Sequence, residues 1–464
     1  MNEMQNKGPI RDAQALGVPK MMVLGLQHMF AMFGATILVP ILVNTYGLPL
    51  SIQTTLFFAG IGTLLFHVCT KLKIPAFLGS SFAFLGGFAA MGAMDQGMYA
   101  AMDGAEKLQY ACGGIVVAGL LYVILALVVK AVGIHKVMHF LPPVVTGPII
   151  ILIGLNLAPT AVSNASTCWW LALVAMGIII VANIWGKGMI KIIPILLGVL
   201  GAYLVAVTAN ACGATVLDAA GNAVPLLDFE GVRAAPLLGL QPFLTNFGGS
   251  IAKFDVSAIL VMAPIALASM MEHIGDMSAI SATVGENFIE DPGLHRTLAG
   301  DGLATALAGL FGGPANTTYG ENTGVLVLSQ VYDPKVIRLA ALYAVVLSFS
   351  PAFAEVIHSI PAAIIGGVSF ILYGMISAIG VRNVVENQVD FTNSRNLIIA
   401  AVILVCGLGF TNGLTFNVGG TSITLTSLAI AAIAGILMNA ILPGNDFHFG
   451  KSANADDSAS LGRY

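Results

Sequence analysis

The chain has 464 residues, 57% of them hydrophobic and only 9% charged, with a mean hydropathy of +0.90. Soluble domains carry about 25% charged residues, so composition argues against a soluble enzyme, and a net charge of −4 without a basic patch argues against nucleic acid as a partner. The five cysteines are scattered, with no CxxC or Cys/His grouping, which points away from a metal site and from a disulfide framework.

The first twenty residues, MNEMQNKGPIRDAQALGVPK, are polar, lack a cleavage-site pattern and read as a cytoplasmic tail. Beyond them, apolar stretches of about 20 residues, the length of a membrane-crossing helix, recur along the chain. They lie near 21–44, 52–70, 75–91, 110–130, 137–157, 168–186 and 190–212. After a polar, Gly/Pro-rich loop over 213–253 they resume near 254–281, 298–313, 319–332, 336–356, 360–380, 397–416 and 424–442, ahead of a tail over 443–464. This predicts an all-α polytopic membrane protein of fourteen segments. With both termini inside, every Lys and Arg except Lys107, Arg233 and Lys253 falls on the inner face, the bias expected of a multi-pass membrane protein.

The two sevens correspond in order. LQH at Leu26–His28 answers MEH at Met271–His273, PAFLGSSF from Pro75 answers PANTTYGE from Pro314, and HFLPPVVTG from His139 answers HSIPAAIIG from His358. An odd number of spans per copy inserts the second copy upside down, and inverted repeats with a binding site at broken helices mark secondary transporters. The third and tenth segments are the paired short ones, interrupted by Gly, Pro and Ser. Irregular backbone at that depth persists only where protein or a water-filled cavity satisfies it.

Three elements should meet there. In GSSFAF, Gly79–Phe84, free backbone N–H groups lie beside the rings of Phe82 and Phe84. In TTYGENT, Thr317–Thr323, Gly320 permits close approach, Glu321 supplies a carboxylate and Tyr319 an aromatic wall. In EHIGD, Glu272 and Asp276 lie one turn apart on one helix face. Acids at membrane depth are costly and mark a solute or proton path. A planar heterocycle with alternating N–H and C=O groups suits such a pocket. Two neighbouring acids in a low dielectric resist ionising together, which gives one of them a proton to exchange near neutral pH. His28 and His273 read more readily as histidines satisfied between helices than as ligands. Tyr373, in LYGMIS, reads as a packing residue from the sequence alone.

At these residues the chain resembles the nucleobase–ascorbate transporter family. The resemblance rests on LQHMFAMFGATILVP, IPAFLGSSFAF, EHIGD, DPGLHR and NTTYGENTGV, and runs over nearly the whole chain. It implies two inverted seven-span repeats with short strands breaking spans 3 and 10. A core of spans 1–4 and 8–11 would hold the substrate, and a gate of spans 5–7 and 12–14 would move against it. It further implies proton-coupled import of uracil across a bacterial cytoplasmic membrane, with no cofactor and no enzymatic step; sodium coupling, a xanthine or purine substrate, or an anion carrier of related fold are the alternatives. Glu272 and Glu321 would bond the pyrimidine, the backbone amides of Phe82 and Gly320 would meet its carbonyls, and Ala35, Tyr319 and Tyr373 would line the walls. Asp276, Glu272, Glu321 and His28 would handle the proton. The resemblance also implies a homodimer formed through the gate. Asp276 stands where some members have His, and Ser329–Gln330 departs from the usual ending of the GENTG motif.

Overall fold

A computed structural model describes residues 9–217, 223–239, 251–418 and 421–444. The first half runs α1 (Val18–Thr45), α2 (Ile52–Cys69), β1 (Leu78–Ser80), α3 (Leu85–Gly92), α4 (Gly104–Val132), α5 (Ile134–Phe140), α6 (Pro143–Ser166), α7 (Trp169–Ile184), α8 (Met189–Ile192) and α9 (Pro194–Ala211). The connecting loop holds β2 (Thr215–Leu217), β3 (Ala223–Pro225) and α10 (Glu230–Ala234). The second half runs α11 (Val256–Met262), α12 (Ala266–Val284), α13 (Leu294–Leu310), β4 (Asn316–Thr318), α14 (Gly320–Ser329), α15 (Pro334–Ser348), α16 (Pro351–His358), α17 (Ala362–Glu386) and α18 (Ser394–Gly409). It closes with the hairpin β5 (Leu414–Val418) and β6 (Thr421–Leu425), then α19 (Ser427–Ile441).

The protein is a multi-pass helical membrane protein. Among the described residues seven helices are long and apolar enough to cross a bilayer, or eight if α15 and α16, bent by 87°, form one span. Two hairpins, β2–β3 and β5–β6, lie outside the sequence expectation, which placed strands only in the broken spans. The second of them falls at the ends of two apolar segments, although TFN and TSITL alternate polar and apolar residues in the manner of strands. Part of the loop over 213–253 and nearly all of the tail over 443–464 lie outside the described residues.

The helices sort into two packing groups. In the first, α1, α2, α4, α13 and α15 pack on one another around the two broken segments; in the second, α6, α7, α9, α17, α18 and α19 do so. The matched sequence motifs occupy matched places. HFLPPVVTG opens α6 at Pro143 and HSIPAAIIG opens α17 at Ala362. These two helices run antiparallel: Gly147 lies against Gly380 and Val384, Gly154 against Tyr373 and Ser377, and Ala165 against Gly366. β1 and β4, one from each half, also pair antiparallel, with Leu78 opposite Thr318, Gly79 opposite Thr317 and Ser80 opposite Asn316.

One end of the molecule gathers the charged loops. Lys73 pairs with Asp291, Arg11 with Glu286, and Lys335 with Asp12. The segment before α1 is strapped to the end of α14, with Ile10 paired to Val331 and the Ala13 amide donating to Asp333 at 2.8 Å. Asp95, Gln96 and the β5–β6 hairpin lie at the other end.

Candidate functional site

Helix gives way to strand in the third segment because Ile74–Pro75 and Gly79 disfavour continuing it, and the exposed backbone groups are then met by partners from other elements. The Thr63 hydroxyl on α2 donates to Leu78 O (3.2 Å) and accepts from Leu78 N (2.9 Å). His67 Nε2 lies 2.9 Å from Ala76 O. On the β4 side, Asn316 N donates to Thr305 Oγ1 at 3.2 Å, and Asn316 Nδ2 donates to Phe58 O at 3.1 Å. Tyr319 N donates to Phe77 O and Ser81 N to Ala315 O, extending the two-stranded ladder at both ends. Every anchor comes from the first helix group, so the broken segments form a rigid unit with α2 and α13.

Tyr319 lies across this unit. Its hydroxyl donates to Ser80 O at 2.8 Å and sits 3.3 Å from Ser80 Oγ and 3.4 Å from Thr36 Oγ1. The ring crosses Gly79, where a Cβ would stand 2.3 Å from two ring carbons. Only glycine leaves room for that crossing. Overpacking costs about 1–3 kcal/mol, so Gly79→Ala should raise the half-saturation concentration for substrate by about an order of magnitude or more. Uptake kinetics on protein that remains monodisperse in detergent checks this.

A small cavity of about 20 Å³ lies where the two helix groups meet. The broken segments contribute Phe82 and the run Thr317–Gly320, α12 contributes Glu272 and Asp276, and the second helix group contributes Ile150, Ile376 and Ile379. Glu272 and Asp276 therefore share one face of α12, as their spacing predicts. Asp276 is almost fully buried and Glu272 partly so. The Asp276 carboxylate lies beside Gly320, 3.3 Å from where a Cβ would be, so the glycine allows the acid to approach the first turn of α14. The α14 N–H groups begin at Gly320, and the positive end of the helix faces this space.

Phe82 separates this cavity from a second space of about 550 Å³ that also borders Asp95, Gln96, Asn156, Thr411–Gly413, Thr426 and Ser427. This vestibule lies toward the end opposite the basic loops. The Phe82 ring meets Tyr373 edge to face, with centroids 5.8 Å apart.

Of the residues expected at the site, Phe82, Glu272, Asp276, Tyr319 and Gly320 come together around the small cavity. Ala35 and Tyr373 are buried but do not border it; Tyr373 stands behind Phe82. His28 is also away from it, with Asn322 Nδ2 of α14 donating to His28 O at 3.3 Å and lying 3.5 Å from Nδ1. Glu321 is the second residue of α14, and its side chain lies outside the described residues. Four residues escaped sequence reasoning: Ile150, Ile376 and Ile379 at the cavity, and Asp301. The isoleucines of the second helix group carry no signal beyond hydrophobicity. Asp301, fully buried on α13 and 3.0 Å from His273, did carry one: it is a lone acid in an apolar segment, the criterion that singles out Glu272.

A family model described as the permease family, of the xanthine and uracil permeases, matches residues 19–416. The chain belongs to that family. It is 40% identical over 444 residues to a uracil permease of Bacillus caldolyticus, covering 94% of both chains. It is 41% identical over 431 residues to the uracil permease of Bacillus subtilis, covering 90% of this chain and 91% of that one. These relatives are named as transporters, and this permease is likewise a transporter rather than an enzyme. Among solved structures, the transmembrane domain of a cyanobacterial bicarbonate transporter, BicA, matches with a TM-score of 0.53 at 16% identity, covering 82% of this chain and 98% of that one. That likeness concerns the fold alone.

Proposed function

We propose that this permease imports uracil, driven by the proton gradient, through alternating exposure of the site between its two helix groups. The observation that carries the reading is the cavity at their boundary. It sets two carboxylates, Glu272 and Asp276, opposite the N–H groups that open α14, with Phe82 as an aromatic wall. Uracil presents N–H groups to carboxylates and carbonyls to backbone amides, and offers a flat face to a ring. The names of the relatives point to the same substrate.

The size of the cavity supports a moving mechanism. About 20 Å³ holds roughly one water, whereas small-molecule sites run to about 300–1,000 Å³. A pyrimidine enters only if Phe82 and the isoleucines of α6 and α17 draw back. The vestibule already reaches Phe82 from the side away from the basic loops. On the basic side Gln27 of α1 contacts Met189 of α8, a short helix packed on α7 and α9 of the second group. This arrangement fits a carrier closed toward the cytoplasm, with fourteen spans as two inverted sevens, both termini cytoplasmic and the second helix group acting as gate and as homodimer surface. Asp276, Glu272, Glu321 and His28 are the groups proposed to handle the proton.

The pocket carries acids and no described base, which disfavours an anion carrier despite the shared fold. A xanthine or purine substrate is the second reading within the family. Uptake of radiolabelled uracil into proteoliposomes decides between them. Accumulation that collapses with a protonophore and resists excess xanthine is the expected result. Xanthine uptake without uracil uptake would overturn the substrate, and accumulation driven by sodium alone would overturn the coupling ion.

A further inference from the structure

One buried polar group stands outside the cavity yet touches the unit that forms it. His273 follows Glu272 on α12 and points to the other side of the helix, into the first helix group. It is fully buried, and the rings of Phe66 and Tyr122 meet it edge-on at 6.3 and 6.4 Å. Its Nδ1 lies 3.1 Å from Thr318 Oγ1 and 3.0 Å from Asp301 Oδ2. Asp301, on α13, is also fully buried, and His273 is the only base within ion-pair distance of it among the described residues. The Tyr122 hydroxyl donates to Ser269 Oγ at 2.8 Å, one turn earlier on α12, and closes the space over the pair. The other ionisable groups of this part of α12, Glu272 and Asp276, face the cavity.

We propose that His273 is a positioning residue: oriented by Asp301, it holds Thr318 and so sets the backbone of Tyr319 and Gly320 at the site. Thr318 ends β4. It stands opposite Leu78 of β1 in the register, and the next residue, Tyr319, donates its N–H to Phe77 O. The β1 contacts fix the strand along one edge. The His273 contact fixes its side-chain face against α12, the helix that carries Glu272 and Asp276. A buried carboxylate is costly unless paired, and here the pairing holds the imidazole so that Nδ1, rather than Nε2, faces Thr318. Nδ1 carries a single N–H, which lies between the Asp301 carboxylate and the Thr318 hydroxyl and is shared by them.

The choice of nitrogen gives the test. An asparagine amide nitrogen sits close to the position of Nδ1, whereas a glutamine amide reaches toward that of Nε2. His273→Asn should keep the half-saturation concentration for uracil within about threefold of the unaltered protein, while His273→Gln and His273→Ala should raise it by about tenfold or more. Maximal rate and the pH profile of uptake should change little in all three. A role in filling space alone would favour glutamine, the longer side chain, and reverse the order. Asparagine no better than glutamine, or alanine with unchanged kinetics, overturns the inference. If the alanine variant does not fold, Thr318→Val against Thr318→Ser gives the same contrast, with valine impaired and serine not; equal kinetics for the two overturns it. The inference rests on the proposed substrate only for its probe: absent uracil binding by the unaltered protein is a failure of that reading, and normal binding with unaffected variants is a failure of this one.

Discussion

Replacing Glu272 with glutamine should lower uracil affinity by about a hundredfold or more while leaving the protein folded. A hydrogen bond to a charged group contributes about 1.5–3 kcal/mol, and its replacement also turns a donor toward the ligand's own N–H. Each 1.4 kcal/mol is about a factor of ten. Glu272 borders the cavity and is only partly buried, so the change should leave thermal unfolding in detergent near that of the unaltered protein. Calorimetric titration with uracil measures it. Affinity retained within a few-fold would remove Glu272 from the site.

Asp276→Asn should separate binding from coupling. Asp276 lies against Gly320 at the mouth of α14, one turn beyond Glu272, and shares its cavity. If it exchanges the transported proton, the variant should bind uracil within about an order of magnitude of normal yet fail to concentrate it. One proton per substrate across two pH units drives about a hundredfold accumulation, since each unit is worth about 1.36 kcal/mol. The variant should let internal and external uracil equalise instead. Accumulation that still follows the pH gradient would leave the proton with Glu272, Glu321 or His28.

The legible parts of this molecule were those where chemistry conflicts with surroundings. Acids in apolar stretches located α12, and their four-residue spacing placed both on the cavity. Gly, Pro and Ser inside short spans located the two breaks, because backbone that leaves the helix in a membrane needs partners; that the breaks hold strands was implied only by the family resemblance. His273, read from the sequence as a histidine satisfied between helices, does lie between them, with Nδ1 against Thr318 and Asp301. What stayed hidden was set by tertiary packing. Nothing in the sequence distinguishes Ile150, Ile376 and Ile379 from the other isoleucines of α6 and α17. Nor does spacing reveal that the Phe82 ring would divide the small cavity from the vestibule, or that Tyr373 would stand behind it rather than at the cavity wall. Asp301 was readable by the same rule as Glu272 but sits among small residues in LAGDGLATALAG, where no second acid draws attention to it.

The pairing of β1 with β4 has a consequence for how the chain is made. Ser80 and Asn316 are partners, so β1 enters the membrane long before the strand that satisfies its edge has left the ribosome. Throughout synthesis of the intervening helices the edge of β1 that meets β4 lacks its strand partner, and lipid offers no hydrogen bonds in its place; only the other edge, at Leu78, and the nearby Ala76 have Thr63 and His67 on the helix just before. Insertion of the first half therefore ends in an incomplete intermediate, and the site closes only when the second half docks. Substitutions at Thr63 or His67 should accordingly fail during biogenesis, as degraded or unassembled protein, more often than as mature carriers with weakened transport.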